Sequence, residues 1–401
     1  MNSQAKAVIL GSNFYTGLSI IRGLGANGIY TVAMDYSKKH TYGAKSRYLS
    51  EQLIVPHYRE QKEELLNYLI DYAKNQQVKP ILFPSVDPYV EFIDSYLDEL
   101  KSYYHINMTN QGLWSSIMDK EFLHALTTKH GVLVPESLSI SEAGFEERVV
   151  SEIGFPCMVK PTDSTAFVSR FRAKTFLCNS LDEMRDAIER ATQAKLEVIV
   201  QRIIPGFDDH VYTFDAYLDQ SSKVTHWMTC QKQRQFPINF GASSFTKQQY
   251  VEELYQLGAP FLEAIGYKGF AEIEFKKDAV SGKYYFLEIN ARTTTLDPLL
   301  QKCGINFPLL AYNELTGKPI GSHAVRSSSG IAFCFLFEDL IASLAYVRTK
   351  QLKIMPIIKS HFVRKAPAVW SVKDPLPAFA FSWMITKKIF GRILNKIEIN
   401  G

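Results

Sequence analysis

The chain has 401 residues, 46% of them hydrophobic and 21% charged, with a net charge of +4. At about 100–200 residues per domain, that length holds two to four domains, and the composition excludes a disordered or fibrous chain. So small a positive excess is not that of a general nucleic-acid binder. It is, however, unevenly placed. From Gly321 to Gly401 there are 12 Lys+Arg against 4 Asp+Glu, a net of +8, so the rest of the chain carries 4 − 8 = −4. The five cysteines form no CxxC pair, which speaks against a zinc site or disulfide framework and fits a reducing cytoplasm. MNSQAKAVILGSNF lacks a signal-peptide apolar core, and no uncharged apolar run is long enough to cross a bilayer, so no membrane span is expected.

In chain order, Ala7–Leu10 reads as a strand running into a glycine turn, Gly11 to Gly17, and then a helix to about Asn27. Tyr30–Met34 is a second strand ending at Asp35. Leu65–Ala73 is helical by its spacing, and Pro80–Phe83 is a buried strand followed by Pro84-Ser-Val-Asp87. Alternation of this kind predicts a parallel sheet with right-handed crossovers. Asp35 could hold a ribose, but Gly11 and Gly17 lie too far apart for GxGxxG. The reading is a Rossmann-like domain, residues 1–112, without a dinucleotide of its own. From Met118 a helix is expected to about His130, then strands at Glu136–Ile140, at the run ending FPCMVKP (Lys160, Pro161), at Glu197–Arg202 and at Val211–Leu218, with a helix over 181–195. Ala271–Phe275 and Tyr284–Ile289 form a pair joined by a turn at Ser281-Gly282.

That last pair carries the chemistry. Glu288, Asn290 and Arg292 stand at i, i+2 and i+4, so a strand points them to one face, and Glu272 and Glu274 share a face of the partner strand. Oxygen ligands from adjacent strands suit magnesium, and an arginine beside them can grip an anionic oxygen at two points. Taken alone, the pair is equally a surface hairpin with alternating polar residues. Lys160 ends an apolar strand that Pro161 stops, beside Thr162, Ser164 and Thr165, where it could reach a phosphate; alone, it is more often a solvated strand end. Lys120 alone says less still.

The order of these features, Lys120, then Lys160, then IVQRIIPG, then Glu274 followed on the next strand by Glu288-Ile-Asn290-Ala-Arg292, resembles the ATP-grasp superfamily. The chain is most similar to its carboxylate–amine ligases, the group of D-aspartate ligase, related to carbamoyl-phosphate synthase and biotin carboxylase. The resemblance covers residues 1 to about 320, including Ser46-Arg-Tyr48 in the first domain. It implies an α/β fold with a Rossmann-like domain (1–112), an ATP-grasp domain of two α+β subdomains clasping ATP (113–320, lid about 145–203) and a basic C-terminal region (321–401). It implies ATP and two magnesium ions as cofactors, with manganese able to substitute, and amino-acid-like carboxylate and amine substrates. Lys120 and Lys160 would contact phosphates. The backbone of Gln201, Arg202, Ile203 and Ile204 would read adenine, and Asp208 or Asp209 would meet the ribose. Glu274, Glu288 and Asn290 would hold the metal, and Arg292 would stabilise the transferring phosphoryl group. Gln231–Gly241 resembles the acceptor-side loop, with Lys232 and Arg234, and Arg170 on the lid, as substrate candidates.

Two features depart from the family. Thr162–Thr175 has no glycine where lids often carry a glycine-rich loop, leaving Ser164, Thr165, Arg170, Arg172 and Lys174 to serve instead. Arg202 stands where an acid is common. Trp370, Phe379, Phe381 and Trp383 are expected in the core, with the C-terminal region packed on the body as an appendage; the alternative is a basic amphipathic helix on a membrane surface. A homodimer is compatible with the sequence. The expected reaction joins a carboxylate to an amine through an acyl phosphate, giving ADP and phosphate. Rivals are carboxylation or carbamoyl-phosphate chemistry, a nucleotide binder without turnover, and a nicotinamide oxidoreductase, which the missing GxGxxG disfavours.

Overall fold

The structure is a computed structural model and describes residues 4–108, 110–118, 126–162 and 164–400. β1 (Ala7–Leu10) is buried at every position. It leads through Gly11 into α1 (Tyr15–Gly25), followed by β2 (Thr31–Asp35), β3 (Glu51–Ile54), α2 (Lys62–Lys74), β4 (Ile81–Pro84) and α3 (Asp87–Ser95). The four strands form a parallel sheet in the order β3-β2-β1-β4, Val8 standing opposite both Val32 and Leu82. A strand in a parallel sheet is covered on both faces, which is why AVIL runs without alternation.

The glycine spacing has a local cause. Gly11 takes φ +92°, open to glycine, and a Cβ on Gly17 would lie 2.0 Å from the Gly11 carbonyl oxygen. The two glycines let α1 close onto the turn. Asp35 is buried, and its carboxylate accepts bonds from the Ser12 amide (2.6 Å), the Ser12 hydroxyl (2.7 Å) and Gln52 Nε2 (2.9 Å). It therefore ties the strand ends together.

Next come β5 (Ser137–Ser139), β6 (Cys157–Pro161), α4 (Ser164–Phe171), β7 (Phe176–Cys178), α5 (Leu181–Gln193) and β8 (Val198–Arg202). β5, β8, β6 and β7 form a second sheet in that order, all antiparallel. Then follow β9 (Val211–Leu218), β10 (Val224–Phe236), β11 (Ala242–Gln248), β12 (Gly269–Lys277), β13 (Tyr284–Asn290), α6 (Asp297–Lys302), α7 (Phe307–Leu315), β14 (His323–Ala324), β15 (Ala332–Cys334), α8 (Leu336–Arg348), α9 (Ile354–Ser360), β16 (Lys365–Pro367) and α10 (Leu376–Asn400). The third sheet runs β13-β12-β9-β10-β11-β15-β16, with β14 on β10.

Two compact units result. One comprises Met1–Ser115, Thr213–Glu272 and Asn290–Gly401; the other comprises Ser116–Tyr212 and Ile273–Ile289. In the first, Ile9, Leu18 and Ala33 share a core with Phe333, Phe335, Ala366 and Val369. Arg22 binds the buried Asp374 (2.9 Å), which also accepts from Ser46 Oγ (2.7 Å) and the Arg47 amide (2.9 Å). The C-terminal region is thus no appendage: it supplies strands and core to the first unit. Of the four aromatic residues expected in the core, Phe381 packs there, while Trp370, Phe379 and Trp383 are 48%, 61% and 63% exposed. In the second unit, Cys157, Val159, Val200, Phe167 and Met184 make a separate core.

Candidate active site

In the second unit the strand period sorts the candidates. β6 turns Cys157 and Val159 into the core, leaving Met158 and Lys160 half-buried on the other face. The register places Lys160 opposite Ile199 and Met158 opposite Gln201, so these four residues line one face of the sheet. Burial lowers the pKa of the Lys160 ammonium, while the charges of Glu288 and Glu274 oppose that shift. Both acids therefore lie within electrostatic reach of the lysine. Glu274 is half-buried and Glu288 exposed. Two carboxylates beside a lysine suit a hard divalent cation that shares phosphate oxygens, with the ammonium as a further point charge.

The glycine-free segment is not a loop over most of its length. Ser164–Phe171 is helix α4, pinned by Phe167, which is fully buried, and by the ring contacts of Phe167, Phe171 and Phe176 at 4.8–5.0 Å. A helix needs no glycine, which accounts for the missing residues. Arg170 lies exposed in its last turn. At the end of β8, Arg202 donates to both carboxylate oxygens of Glu136 at 3.2 Å, so its guanidinium is held by an acid of the neighbouring segment. Ile204 is buried and Ile203 half-buried. Asp208 is buried, whereas Asp209 is more exposed and sits 2.8 Å from His210 Nδ1. Lys120 lies outside the described residues.

The first unit holds a second cluster. Glu272 is buried and accepts from Asn290 Nδ2 (3.1 Å) and Thr294 Oγ1 (2.8 Å). Burial raises its pKa; Lys232, Thr294 and Arg292 act against that. Arg292 donates through Nε to Asp87 Oδ1 (2.5 Å) and through Nη2 to Asp87 Oδ2 (2.8 Å), and reaches Asn290 Oδ1 at 3.4 Å. The strand ends at Asn290, so Arg292 stands just beyond it, and Asp87, the first residue of α3, orients it. Sequence reasoning did not single out Asp87. Its one signal was its position directly after a buried strand and before a proline, where a helix begins. An apolar cavity adjoins Arg292, lined by Phe83, Ile106, Trp114, Tyr217, Phe270 and Phe307 among others.

The segment expected as an acceptor-side loop is largely strand, with Gln231 to Phe236 belonging to β10 and only 237–241 turning into β11. Lys232 is buried within range of Glu272. Arg234 is also buried, paired at two points with Asp339 (2.8 Å each) and with Ser360 (2.9 Å). Cys334, Asp339 and His361 lie close enough to suggest a metal group, but the Arg234 guanidinium already takes the cation's place beside Asp339.

Residues 119–312 match the family described as the carbamoyl-phosphate synthase L chain, ATP binding domain. D-aspartate ligase of Enterococcus faecium is 28% identical over 244 residues, covering 57% of this chain and 57% of its own length. D-alanine–D-alanine ligase of Fervidobacterium nodosum is 26% identical over 181 residues, 40% of this chain and 52% of its own. The chain thus spans little more than half of these relatives. The biotin carboxylase domain of Hydrogenobacter thermophilus 2-oxoglutarate carboxylase, solved with MgADP, ADP and bicarbonate, superposes with a TM-score of 0.64 at 16% identity, covering 82% of this chain and 74% of that one, which shows a shared fold. No helix among the described residues is long and apolar enough to cross a membrane. Residues 119–312 are thus similar to the carbamoyl-phosphate synthase L chain ATP binding domain, and the chain shares its fold with biotin carboxylase.

Proposed function

We propose that the protein is an ATP- and magnesium-dependent carboxylate–amine ligase that forms an amide or peptide bond. A carboxylate cannot expel oxide, so it must first be activated. One of its oxygens takes the γ-phosphoryl group, releasing ADP. The amine then attacks the carbonyl carbon, and phosphate and a proton leave. Such chemistry needs positioning and charge neutralisation rather than a side-chain nucleophile. The observation that carries the reading is the grouping of Lys160 with Glu274 and Glu288, two acids on the paired strands β12 and β13.

In this reading Glu274, Glu288 and Asn290 would hold magnesium, which would neutralise phosphate charge; strand parity supports Asn290, two positions beyond Glu288. Two ions are proposed, with manganese as a substitute. Lys160, joined by Lys120, holds phosphate oxygens. Gln201 to Ile204 offer backbone groups to adenine, and Asp209, the more exposed acid, meets the ribose more readily than Asp208. Arg292 meets the phosphoryl group in flight, its plane fixed by Asp87. Glu272 is a positioning residue, because it holds the Asn290 amide. Arg170 remains a lid candidate for substrate, while the buried pairing of Arg234 and the burial of Lys232 favour structural roles for both.

The test is phosphate release from Mg-ATP across a panel of amino acids and carboxylates. Release that requires one carboxylate and one amine, with ADP formed in equal amount, supports the proposal. Turnover only with bicarbonate would replace it with carboxylation. Mg-ATP binding without turnover on any pair would replace it with a nucleotide sensor.

A further inference from the structure

We propose that the face formed by α8, α9 and α10 docks the protein on an anionic lipid bilayer. The proposal rests on the C-terminal region of the first unit and on no part of the ligase reading.

Each helix buries one side and leaves an apolar stripe on the other. In α8, Asp339, Ala342, Ser343 and Tyr346 are buried, whereas Leu336, Leu340 and Leu344, at i, i+4 and i+8, are 57%, 52% and 73% exposed. α9 buries Ile357 and exposes Ile354, Met355 and Ile358. α10 packs Phe381 inward and exposes Leu376, Phe379 and Trp383, at i, i+3 and i+7. Trp370 adds a ring 6.1 Å from that of Phe379. The elements are neighbours: the rings of Phe337 in α8 and Phe381 in α10 are 6.2 Å apart, and Arg234 joins Asp339 of α8 to Ser360 of α9. Scattered exposed apolar residues are ordinary, but three adjacent helices with the same pattern are not.

Charge decides what covers this face. Lys350, Lys353, Lys373, Lys387 and Lys388 are exposed. From 321 onward, the acids whose side chains are described are turned inward: Asp339 is spent on Arg234, Asp374 on Arg22, and burial pushes the Glu338 carboxyl up to about 7. Among the described residues the basic count of the region is therefore displayed with little local compensation. Pairing with a second copy about a two-fold axis would set this basic surface against itself. An anionic bilayer offers acyl chains to the apolar stripes and phosphates to the lysines, and Trp beside lysine, as in Lys387 over the Trp383 ring at 5.2 Å, suits the headgroup level.

The experiment uses the full chain with vesicles of phosphatidylcholine alone or of phosphatidylcholine mixed with phosphatidylglycerol. Cosedimentation and tryptophan emission are followed at low and high salt. The expected result is partition stronger by at least about tenfold to the anionic vesicles, with a blue shift from the exposed tryptophans Trp370 and Trp383, both reversed by salt. Each removed lysine should weaken partition about fivefold. Lys387→Gln/Lys388→Gln should therefore lower it by roughly 25-fold. Phe379→Ser/Trp383→Ser should abolish it, with circular dichroism unchanged. Failure of the unaltered protein to bind anionic vesicles overturns the proposal. So does equal binding to neutral vesicles, or a concentration-dependent dimer lost in Phe379→Ser/Trp383→Ser with no vesicle binding.

Discussion

Removing Arg234 tests whether its charge supports the fold or the substrate. The guanidinium donates twice to Asp339 at 2.8 Å and once to Ser360 at 2.9 Å, and its carbon lies 4.4 Å from the Phe245 ring centre. Asp339 is fully buried. Arg234→Met keeps much of the side-chain volume but leaves Asp339 with Ser244 Oγ at 3.0 Å and His361 at 3.5 Å. An uncompensated buried carboxylate costs about 3–5 kcal/mol, whereas an exposed arginine change stays within about 0.5 kcal/mol. The loss should appear as a Tm lower by several degrees in calorimetry. Arg234→Met/Asp339→Leu should recover most of it, because an apolar pair of similar volume replaces a desolvated ion pair at little cost. An unchanged Tm in Arg234→Met would refute this reasoning. If the same variant also raised KM for an amine or carboxylate, Arg234 would return to the substrate side.

Lys160→Ala should weaken Mg-ATP binding, measured by calorimetry, without changing Tm; equal affinity in a folded variant removes Lys160 from the site. Glu272→Leu removes the acceptor that Asn290 Nδ2 uses and should lower kcat by about 10–100-fold, the scale of one lost buried hydrogen bond, with magnesium dependence shifted; wild-type magnesium dependence would mean that Glu272 does not set Asn290. Arg292→Lys keeps the charge but loses the two-point grip on Asp87, so kcat should fall more than KM for ATP rises; the reverse pattern would make it a ground-state contact. The Asp297 carboxyl is raised from 3.8 to about 6, mainly by burial, with Ser19 and Gln301 opposing. The fold thus holds a proton that the unfolded chain has released, so its contribution is full below about pH 4 and lost as pH rises through 6, on the order of 3 kcal/mol. Asp297→Asn should flatten Tm between pH 4 and 7, and an unflattened profile would assign the dependence elsewhere.

The strands are legible where burial is simple. Ala7–Leu10 and Val211–Leu218 coincide with β1 and β9, because a run buried on both faces shows in sequence as an apolar block. Lys160 is legible because a strand that alternates core and open face assigns its lysine by parity. The segment 162–175 reads as a loop only when a family pattern stands in for local propensity, since Ser164 to Phe171 carries aromatic residues at helical spacing. Arg234 and Lys232 read as open cations because their partners, Asp339 and Glu272, lie far off in sequence, and no local rule marks a basic residue that a distant acid will bury. The same blindness hides the union of residues 332–369 with the first unit, since β15 pairs with β11, far earlier in the chain, and β16 joins through β15.

Glu272 and Glu274 show how far parity can go and where it stops. Both acids point to one side of β12, and sequence alone offers them equally as ligands. Their surroundings separate them. Glu272 is buried, and two donors, Asn290 Nδ2 and Thr294 Oγ1, take up its oxygens. A carboxylate committed in that way orients its neighbours and is a poor acceptor for an incoming ion. Glu274 is half-buried and, with Glu288, acts on the Lys160 ammonium. That environment is compatible with the metal-holding role proposed for it. The raised pKa of Glu272 follows from its burial, which disfavours the charged form. If Glu274 holds the metal as proposed, this strand gives one acid to structure and the next but one to chemistry, and accessibility rather than spacing separates them.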